Sequence, residues 1–135
     1  MACVFCDIAS GKTPAEIVWR SPEALAFLDS RPLFPGHVLL IPTAHTGTLA
    51  DLPTALVAPL FEAAQKLELA VESALGSEGS FIAINNRVSQ SVPHLHIHIV
   101  PRNKGDGLKG FFWPRRGYES EDHLRQIAGR IRRAL

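Results

Sequence analysis

Residues 94–100 read His94-Leu95-His96-Ile97-His98-Ile99-Val100, with a histidine at every second position. Side chains of a β-strand alternate between the two faces of a sheet, so the pattern predicts a strand with three imidazoles on one face and aliphatic side chains on the other. Three neighbouring histidines are unusual in a purely structural strand, because they repel one another when protonated. The stretch therefore predicts a sheet with a chemically active face.

Two kinds of chemistry fit three imidazoles on one face. A neutral imidazole is a good nucleophile near pH 7 and can attack a phosphorus or carbonyl centre to form a covalent intermediate. Three imidazoles with an open fourth position are also the ligand set of a catalytic zinc ion. Alternate residues on a straight strand lie about 6–7 Å apart, however, so the first and third rings are poorly placed to share one ion.

The length and charge of the chain limit the function classes. The 135 residues suffice for one domain. The formal net charge of +1 argues against a dedicated nucleic-acid or membrane binder and favours a small-molecule partner. No signal peptide or membrane-spanning run is visible, so we expect a cytoplasmic protein. In that reducing compartment Cys3 and Cys6 are expected to be thiols or metal ligands rather than a disulfide.

Turn residues and hydrophobic periodicity predict the other elements. A short N-terminal helix is expected over residues 4–10, an amphipathic helix from Ser120 to the C-terminus, and a long helix over 53–75. The regular part of the long helix is expected to begin near Pro59, because proline lacks the backbone donor. The predicted strands are 17–20, 24–28, 37–42, 80–85 and 94–101. Strands and helices do not alternate regularly, which indicates an α+β fold with a largely antiparallel, five-stranded sheet.

Several segments, in this order, resemble the histidine triad family of nucleotide hydrolases and transferases. They are Cys3-Val4-Phe5-Cys6-Asp7-Ile8, Ala26-Phe27-Leu28-Asp29, Pro35-Gly36 followed by His37-Val38-Leu39-Leu40-Ile41-Pro42, Gln90-Ser91-Val92 and the triad itself. The resemblance implies a single domain over 1–135, with a core at about 3–102 and a C-terminal extension at 103–135. It also implies a homodimer that joins two five-stranded sheets.

The resemblance implies a role for each histidine of the triad. His96 would attack the α-phosphorus of a nucleotide and form a nucleotidyl-histidine that water resolves. His98 would contact the phosphate and the leaving group, His37 would complete the cluster, and His94 would support the geometry through its backbone carbonyl. The substrate class would be nucleoside phosphoramidates or dinucleoside polyphosphates.

Other positions are expected to bind the nucleotide. Asp29 would accept hydrogen bonds from the ribose hydroxyls, and an apolar pocket would hold the base. Donors around the phosphates would stabilise the developing charge. The expected pocket residues are Phe5, Ile8 and Phe27, and the expected phosphate contacts are Asn85 or Asn86, Gln90 and Ser91. Ser89 stands where the family commonly has glycine, and the aromatic segment 110–118 is expected to cover the active site, pack at a subunit contact or join the core.

A structural zinc ion is the second implication. Cys3 and Cys6 have Cys-x-x-Cys spacing, and His45 and His94 would complete a closed set of two cysteines and two histidines, as in some members of the family. His94 would then bind metal while His96 performs catalysis. Two other functions stay open at this point: a nucleotide-binding regulatory protein with little catalysis, and a zinc-dependent metallohydrolase that uses the triad as ligands. The base preference and the physiological substrate are not indicated.

Overall fold

The structure, a computed structural model, describes residues 2–108 and 115–135. The chain divides into two compact units between Lys104 and Gly105. The first unit contains β1 (Ile17–Arg20), β2 (Ala24–Leu28), β3 (Val38–Pro42), β4 (Gly79–Ala83), β5 (Ile97–Arg102), α1 (Val4–Ala9), α2 (Thr54–Leu75) and a 3-10 turn (Leu49–Asp51). The second unit contains α3 (Glu121–Ala134).

One antiparallel sheet organises the first unit. Its strand order is β1-β2-β3-β5-β4, and each neighbouring pair is antiparallel. The α+β class, the five-stranded antiparallel sheet and the three helices predicted from the sequence are therefore confirmed. None of the helices in the described residues is long and apolar enough to cross a membrane.

Apolar side chains cover both faces of the sheet. On one face, Leu95, Ile97 and Ile99 pack with residues of α2, including Leu60 and Leu67. On the other face, α1 packs through buried residues against side chains of β2 and β3; this cluster contains Cys3, Phe5, Ile8, Leu25, Phe27, Leu39 and Ile41. Because β2 and β3 are buried on both faces, they read as continuous hydrophobic runs. The histidines share the face that α1 covers.

The bounds of three elements differ by two or more residues from the sequence-based expectation. β5 begins at Ile97 rather than at the first histidine, because the Leu95 N–H donates to the Thr46 carbonyl, 2.6 Å away, instead of to β3. α2 begins at Thr54 and contains Pro59 as an internal residue. The expectation of a start near Pro59 is wrong, since one missing donor costs less than losing the turn that packs Leu56 against the core. β4 ends at Ala83, two residues earlier than expected.

The second unit carries a well-capped helix. The Ser120 hydroxyl accepts a hydrogen bond from the His123 N–H at 3.0 Å, which satisfies one free donor of the first turn of α3. Arg125 contacts Glu121 and Asp122 at 3.4 and 2.7 Å. The acidic residues lie in the first turn and arginines in the last, which suits the helix dipole. Of the aromatic segment 110–118 discussed above, residues 110–114 lie outside the described residues.

Candidate active site and metal cluster

The histidine run lies partly before β5 and partly on it. His94 and His96 precede the strand, whereas His98 is its second residue. The alternation of faces holds across this boundary, because Leu95 and Ile97 pack with α2 while His94 and His96 face α1. The ring centroid of Phe5 lies 5.9 Å from that of His94 and 5.1 Å from that of His96. A single aromatic ring of α1 therefore contacts two imidazoles that have different hydrogen-bond partners.

The protonation of His96 follows from one contact. Its Nδ1 lies 2.7 Å from the backbone carbonyl oxygen of His94. A carbonyl oxygen only accepts, so Nδ1 carries the proton in the neutral ring and Nε2 keeps its lone pair. The ring is 3% exposed and lines a cavity. His96 thus presents an unprotonated ring nitrogen in a fixed orientation, and the carbonyl contact expected from the sequence is present.

His37 and His98 form a second chain of hydrogen bonds. The Leu33 N–H donates to Nδ1 of His37 at 3.0 Å, which leaves the His37 proton on Nε2. Nε2 of His37 lies 3.0 Å from Nδ1 of His98 and donates to it, so the proton of His98 is on its own Nε2. Within the described residues, this buried Nε2 has no hydrogen-bond partner. An unsatisfied donor of this kind is available to a ligand in the cavity.

Burial keeps this pair of rings neutral. Desolvation, followed by the neighbouring His96 and His37, lowers the pKa of His98 to about 4, while Asp29 acts in the opposite direction. Desolvation also lowers the pKa of His37, and the Asp29 carboxylate, 3.8 Å from Nδ1 of His37, opposes the shift. Both rings are therefore neutral at pH 7, as the chain of hydrogen bonds requires.

A cavity of about 1010 Å³ opens beside these rings. It contains seven of the predicted site residues, namely Phe5, Ile8, Phe27, Asp29, Ser91, His96 and His98. It is also lined by Thr13, Glu16 and Arg31, which were not expected from the sequence. These three are isolated polar residues in loop segments, and no spacing or motif in the sequence marks them. The volume is in the range of small-molecule and cofactor sites.

The expected phosphate contacts divide into two groups. Ser91 lines the cavity, whereas Asn85, Asn86 and Gln90 are not among its lining residues. The Asn86 side chain accepts from the Leu49 N–H at 2.9 Å, and the Gln90 side chain donates to the Gly47 carbonyl at 2.7 Å. These contacts hold the loop between β4 and the histidines. The roles of these residues in phosphate binding stay predictions.

Ser89 has a strained backbone within this loop. Its φ angle is 60°, in the left-handed region that glycine adopts without steric cost. Arg87, two residues earlier, also has a positive φ of 69°. The preference of the resembled family for glycine at the Ser89 position thus has a steric reason. Serine keeps the turn here at a cost of about 1 kcal/mol.

A second cluster gathers Cys3, Cys6, His45 and His94. One potential ligand atom from each lies within 4.8 Å of the others. Nδ1 of His94 is 3.5 Å from the Cys3 sulfur and 3.6 Å from the Cys6 sulfur, and Nδ1 of His45 is 3.3 Å from the Cys6 sulfur. In a tetrahedral zinc site, neighbouring ligand atoms are roughly 3.3–3.8 Å apart. The observed distances are close to that requirement.

The protonation of this cluster also suits a metal ion. Nε2 of His94 lies 2.8 Å from the Pro42 carbonyl oxygen and donates to it, so Nδ1 directs its lone pair at the two sulfurs. Burial and the neighbouring Cys3 raise the pKa of the Cys6 thiol. Two adjacent thiols ionise together only beside a cation, which a zinc ion provides. The residues therefore fit zinc by distance, ligand type and tautomer.

Comparison with known proteins gives one family. A family model described as the HIT domain matches residues 10–105. The crystal structure of a HIT family member from Bacillus subtilis has a TM-score of 0.90 and 32% identity, over 100% of this chain and 98% of that one. A zinc-bound histidine triad protein from Mycobacterium smegmatis has a TM-score of 0.76 and 37% identity, over 100% and 99%.

Two relatives of named activity cover less of the chain. The adenylylsulfatase HINT3 of Arabidopsis thaliana is 36% identical over 78% of this chain and 55% of its own length. The asymmetrical bis(5'-nucleosyl)-tetraphosphatase of Schizosaccharomyces pombe is 35% identical over 68% of this chain and 52% of its own length. Both relatives are thus matched over about half of their length.

Proposed function

Because the chain belongs to the HIT domain family, we propose that it cleaves nucleotides at the α-phosphate through a covalent nucleotidyl-histidine intermediate on His96. The observation that carries this proposal is the hydrogen bond from His96 Nδ1 to the His94 carbonyl, at 2.7 Å. That bond leaves Nε2 as a free lone pair at a nucleotide-sized cavity. Nucleoside phosphoramidates and dinucleoside polyphosphates are the proposed substrates.

The proposed reaction has two steps, in which His96 acts as the nucleophile and the hydrogen-bonded pair of His37 and His98 transfers protons. Nε2 of His96 attacks the α-phosphorus, a phosphorus–nitrogen bond forms, and the bond to the leaving group breaks. His98 gives its Nε2 proton to the leaving group while the Nε2 proton of His37 moves to His98 Nδ1. The negative charge left on the His37–His98 pair balances the positive charge on His96, which is bonded to phosphorus at Nε2 and keeps its Nδ1 proton. Water then attacks the intermediate and gives a proton to His98 Nε2, the His98 Nδ1 proton returns to His37, and the phosphorus–nitrogen bond breaks to restore the lone pair of His96.

The cavity orients the substrate for these steps. The apolar wall of Phe5, Ile8 and Phe27 suits the flat face of a base, and the side chain of Asp29 is 22% exposed and can accept from ribose hydroxyls. Ser91 lines the same cavity, and its hydroxyl would donate to a phosphate oxygen. Holding the base and the ribose fixes the α-phosphorus relative to His96, which is the main requirement of phosphoryl chemistry.

The geometry gives no support to a metallohydrolase that uses the triad as ligands. The described residues form two clusters with metal-ligand spacing: one contains His94 with both cysteines, and the other contains His98 with Asp29 and His37. His96 belongs to neither of them. We propose instead that zinc at Cys3, Cys6, His45 and His94 cross-links α1 to the histidine run and takes no part in bond breaking.

The homodimer implied by the resemblance stays a proposal. β4 lies at the edge of the sheet, with one side of its backbone free of a neighbouring strand in the described residues. Phe61 of α2 and Ile82 of β4 are exposed and line a shallow cavity of about 300 Å³ beside that edge. Light scattering after size-exclusion chromatography tests the assembly, and a monomer at micromolar concentration would refute it.

A substrate screen with a matched variant tests the proposed function. The screen uses adenosine 5'-phosphoramidate, diadenosine tetraphosphate and adenylyl sulfate, the last because of the named relative. We expect turnover of at least one, and a loss of about 10⁴-fold or more in kcat for His96→Ala. AMP should still bind to the variant. Nucleotide binding by the wild-type protein without any turnover would favour the regulatory alternative.

A further inference from the structure

The short helix α1 takes part in both the metal cluster and the cavity. Its N-cap residue Cys3 and its third residue Cys6 place thiols in the metal cluster. Its residues Phe5 and Ile8 are buried and line the cavity. Phe5 is bonded directly to Cys6, so a displacement of the thiols also displaces the apolar wall.

Without a metal ion, apolar packing and a few weak hydrogen bonds attach α1 to the rest of the first unit. A helix of six residues is far shorter than the roughly 12–15 residues at which an isolated helix becomes marginally stable. Within the described residues, its hydrogen bonds to other elements are the thiol contacts at 3.3–3.6 Å and one from Arg20 to the Ala9 carbonyl at 3.2 Å. Thiols are weak hydrogen-bond partners. Metal–sulfur bonds would be much stronger attachments.

The nucleophilic ring is linked to the same cluster. His94 directs Nδ1 at the thiols, while its carbonyl accepts the proton of His96 Nδ1 at 2.7 Å. The Phe5 ring packs edge-on against the His96 ring, with 5.1 Å between centroids. The Phe5 ring also packs against the ring of Phe27, with 5.4 Å between centroids, and both rings line the cavity. Fixing His94 and α1 therefore fixes both the wall and the orientation of His96.

From these contacts we infer that Cys3 and Cys6 are positioning residues for the nucleotide pocket, so that zinc binding and nucleotide binding strengthen each other through α1. The inference rests on the proposed function, because it takes a nucleoside monophosphate as the ligand of the cavity. By thermodynamic linkage, zinc must raise nucleotide affinity by the same factor as the nucleotide raises zinc affinity. Coupled sites commonly show factors of about 5–150, and a shared helix predicts at least about 10.

Binding measurements in both directions test the coupling. Calorimetry gives the AMP and GMP affinities of the zinc-loaded protein and of protein stripped with EDTA, with circular dichroism as the check on folding. Competition with a chromophoric chelator gives zinc affinity with and without saturating nucleotide. We expect an approximately 10-fold or larger change, equal in the two directions. Equal nucleotide affinities of both forms would overturn the coupling alone, whereas no binding to the zinc-loaded protein would overturn the proposed function and, with it, the coupling.

Variants separate this route from a general loss of stability. His45 is exposed and is not a cavity-lining residue, so His45→Ala should weaken nucleotide binding at limiting zinc and regain wild-type affinity at excess zinc. Phe5→Ala removes the shared wall and should reduce the coupling factor toward 1. Leu69→Ala changes a residue of α2 that is 67% exposed and should keep the full factor. A full coupling factor in folded Phe5→Ala protein would overturn the inference.

Discussion

Replacing His98 by glutamine separates proton donation from positioning. The unpartnered Nε2 of His98 carries a proton because His37 donates to Nδ1, and burial holds the ring neutral with a pKa of about 4. A glutamine side chain reaches a similar position and can donate a hydrogen bond, but it cannot transfer a proton. Loss of a general acid costs about 10²–10⁴-fold in rate, equivalent to about 3–5 kcal/mol in the barrier.

Two substrates with the same nucleotide and different leaving groups provide the assay. The amine of adenosine 5'-phosphoramidate requires a proton as it leaves, whereas the p-nitrophenolate of AMP p-nitrophenyl ester does not. Rapid-mixing measurements of the first turnover isolate formation of the intermediate from its hydrolysis. We expect His98→Gln to slow the phosphoramidate by about 10²–10⁴-fold and the ester by less than about 10-fold.

A phosphate-contact variant is the matched control for this prediction. Ser91 lines the same cavity, and Ser91→Ala should slow the first turnover of both substrates by a similar, smaller factor, because the phosphate is common to them. Equal losses for both substrates in His98→Gln would refute the assignment of His98 as proton donor. It would then be a phosphate-binding residue only.

Three further predictions concern stability. The pKa of His98 is about 4 in the folded protein and about 6.5 in the unfolded chain, so the unfolded chain binds more protons between these pH values. The free energy of unfolding should therefore fall as the pH drops from about 6.5 to 4, by up to about 3 kcal/mol. Urea unfolding across this pH range should show the full decrease in the wild-type protein and a smaller one in His98→Gln. Parallel pH profiles of the two proteins would contradict this prediction. Leu95→Ala empties a fully buried position and should cost about 2–5 kcal/mol in urea unfolding, and a cost below about 1 would refute its core role. Gly36→Ala places a methyl group next to Leu75 at a residue whose φ is 97°, and it should lower the free energy of unfolding by more than about 1 kcal/mol. An unchanged urea midpoint would contradict this prediction and show that the turn adapts.

The alternation of histidines with aliphatic residues over 94–100 was sufficient to predict which side chains lie on each face of the sheet. Leu95, Ile97 and Ile99 pack with α2, while His96 and His98 line the cavity. A period of two survives where the strand itself has not begun, because an extended chain alternates its side chains with or without a partner strand. The helical period acts in the same way in α2, where Leu60, Leu67 and Val71 recur at helical spacing and are buried.

Other features depend on contacts between segments that are distant in sequence. The start of β5 is set by the bond between Leu95 and Thr46, which no local pattern encodes. Asn86 and Gln90 have residue types suited to phosphate, yet their side chains bond to Leu49 and Gly47. Polar side chains that satisfy nearby backbone groups look the same in a sequence as those that bind ligands. Tertiary geometry alone distinguishes the two.

Trapping the covalent intermediate is the most direct test of nucleophilic attack by His96. The protein is mixed with a small excess of adenosine 5'-phosphoramidate, quenched with base on the millisecond timescale to protect a phosphorus–nitrogen bond, and digested for mass spectrometry. We expect an adenylyl group on the peptide that contains residues 94–98, located on His96, and none in His96→Ala protein. Turnover of the substrate by the wild-type protein with no adenylylated peptide at any quench time, or with the group on another residue, would contradict it.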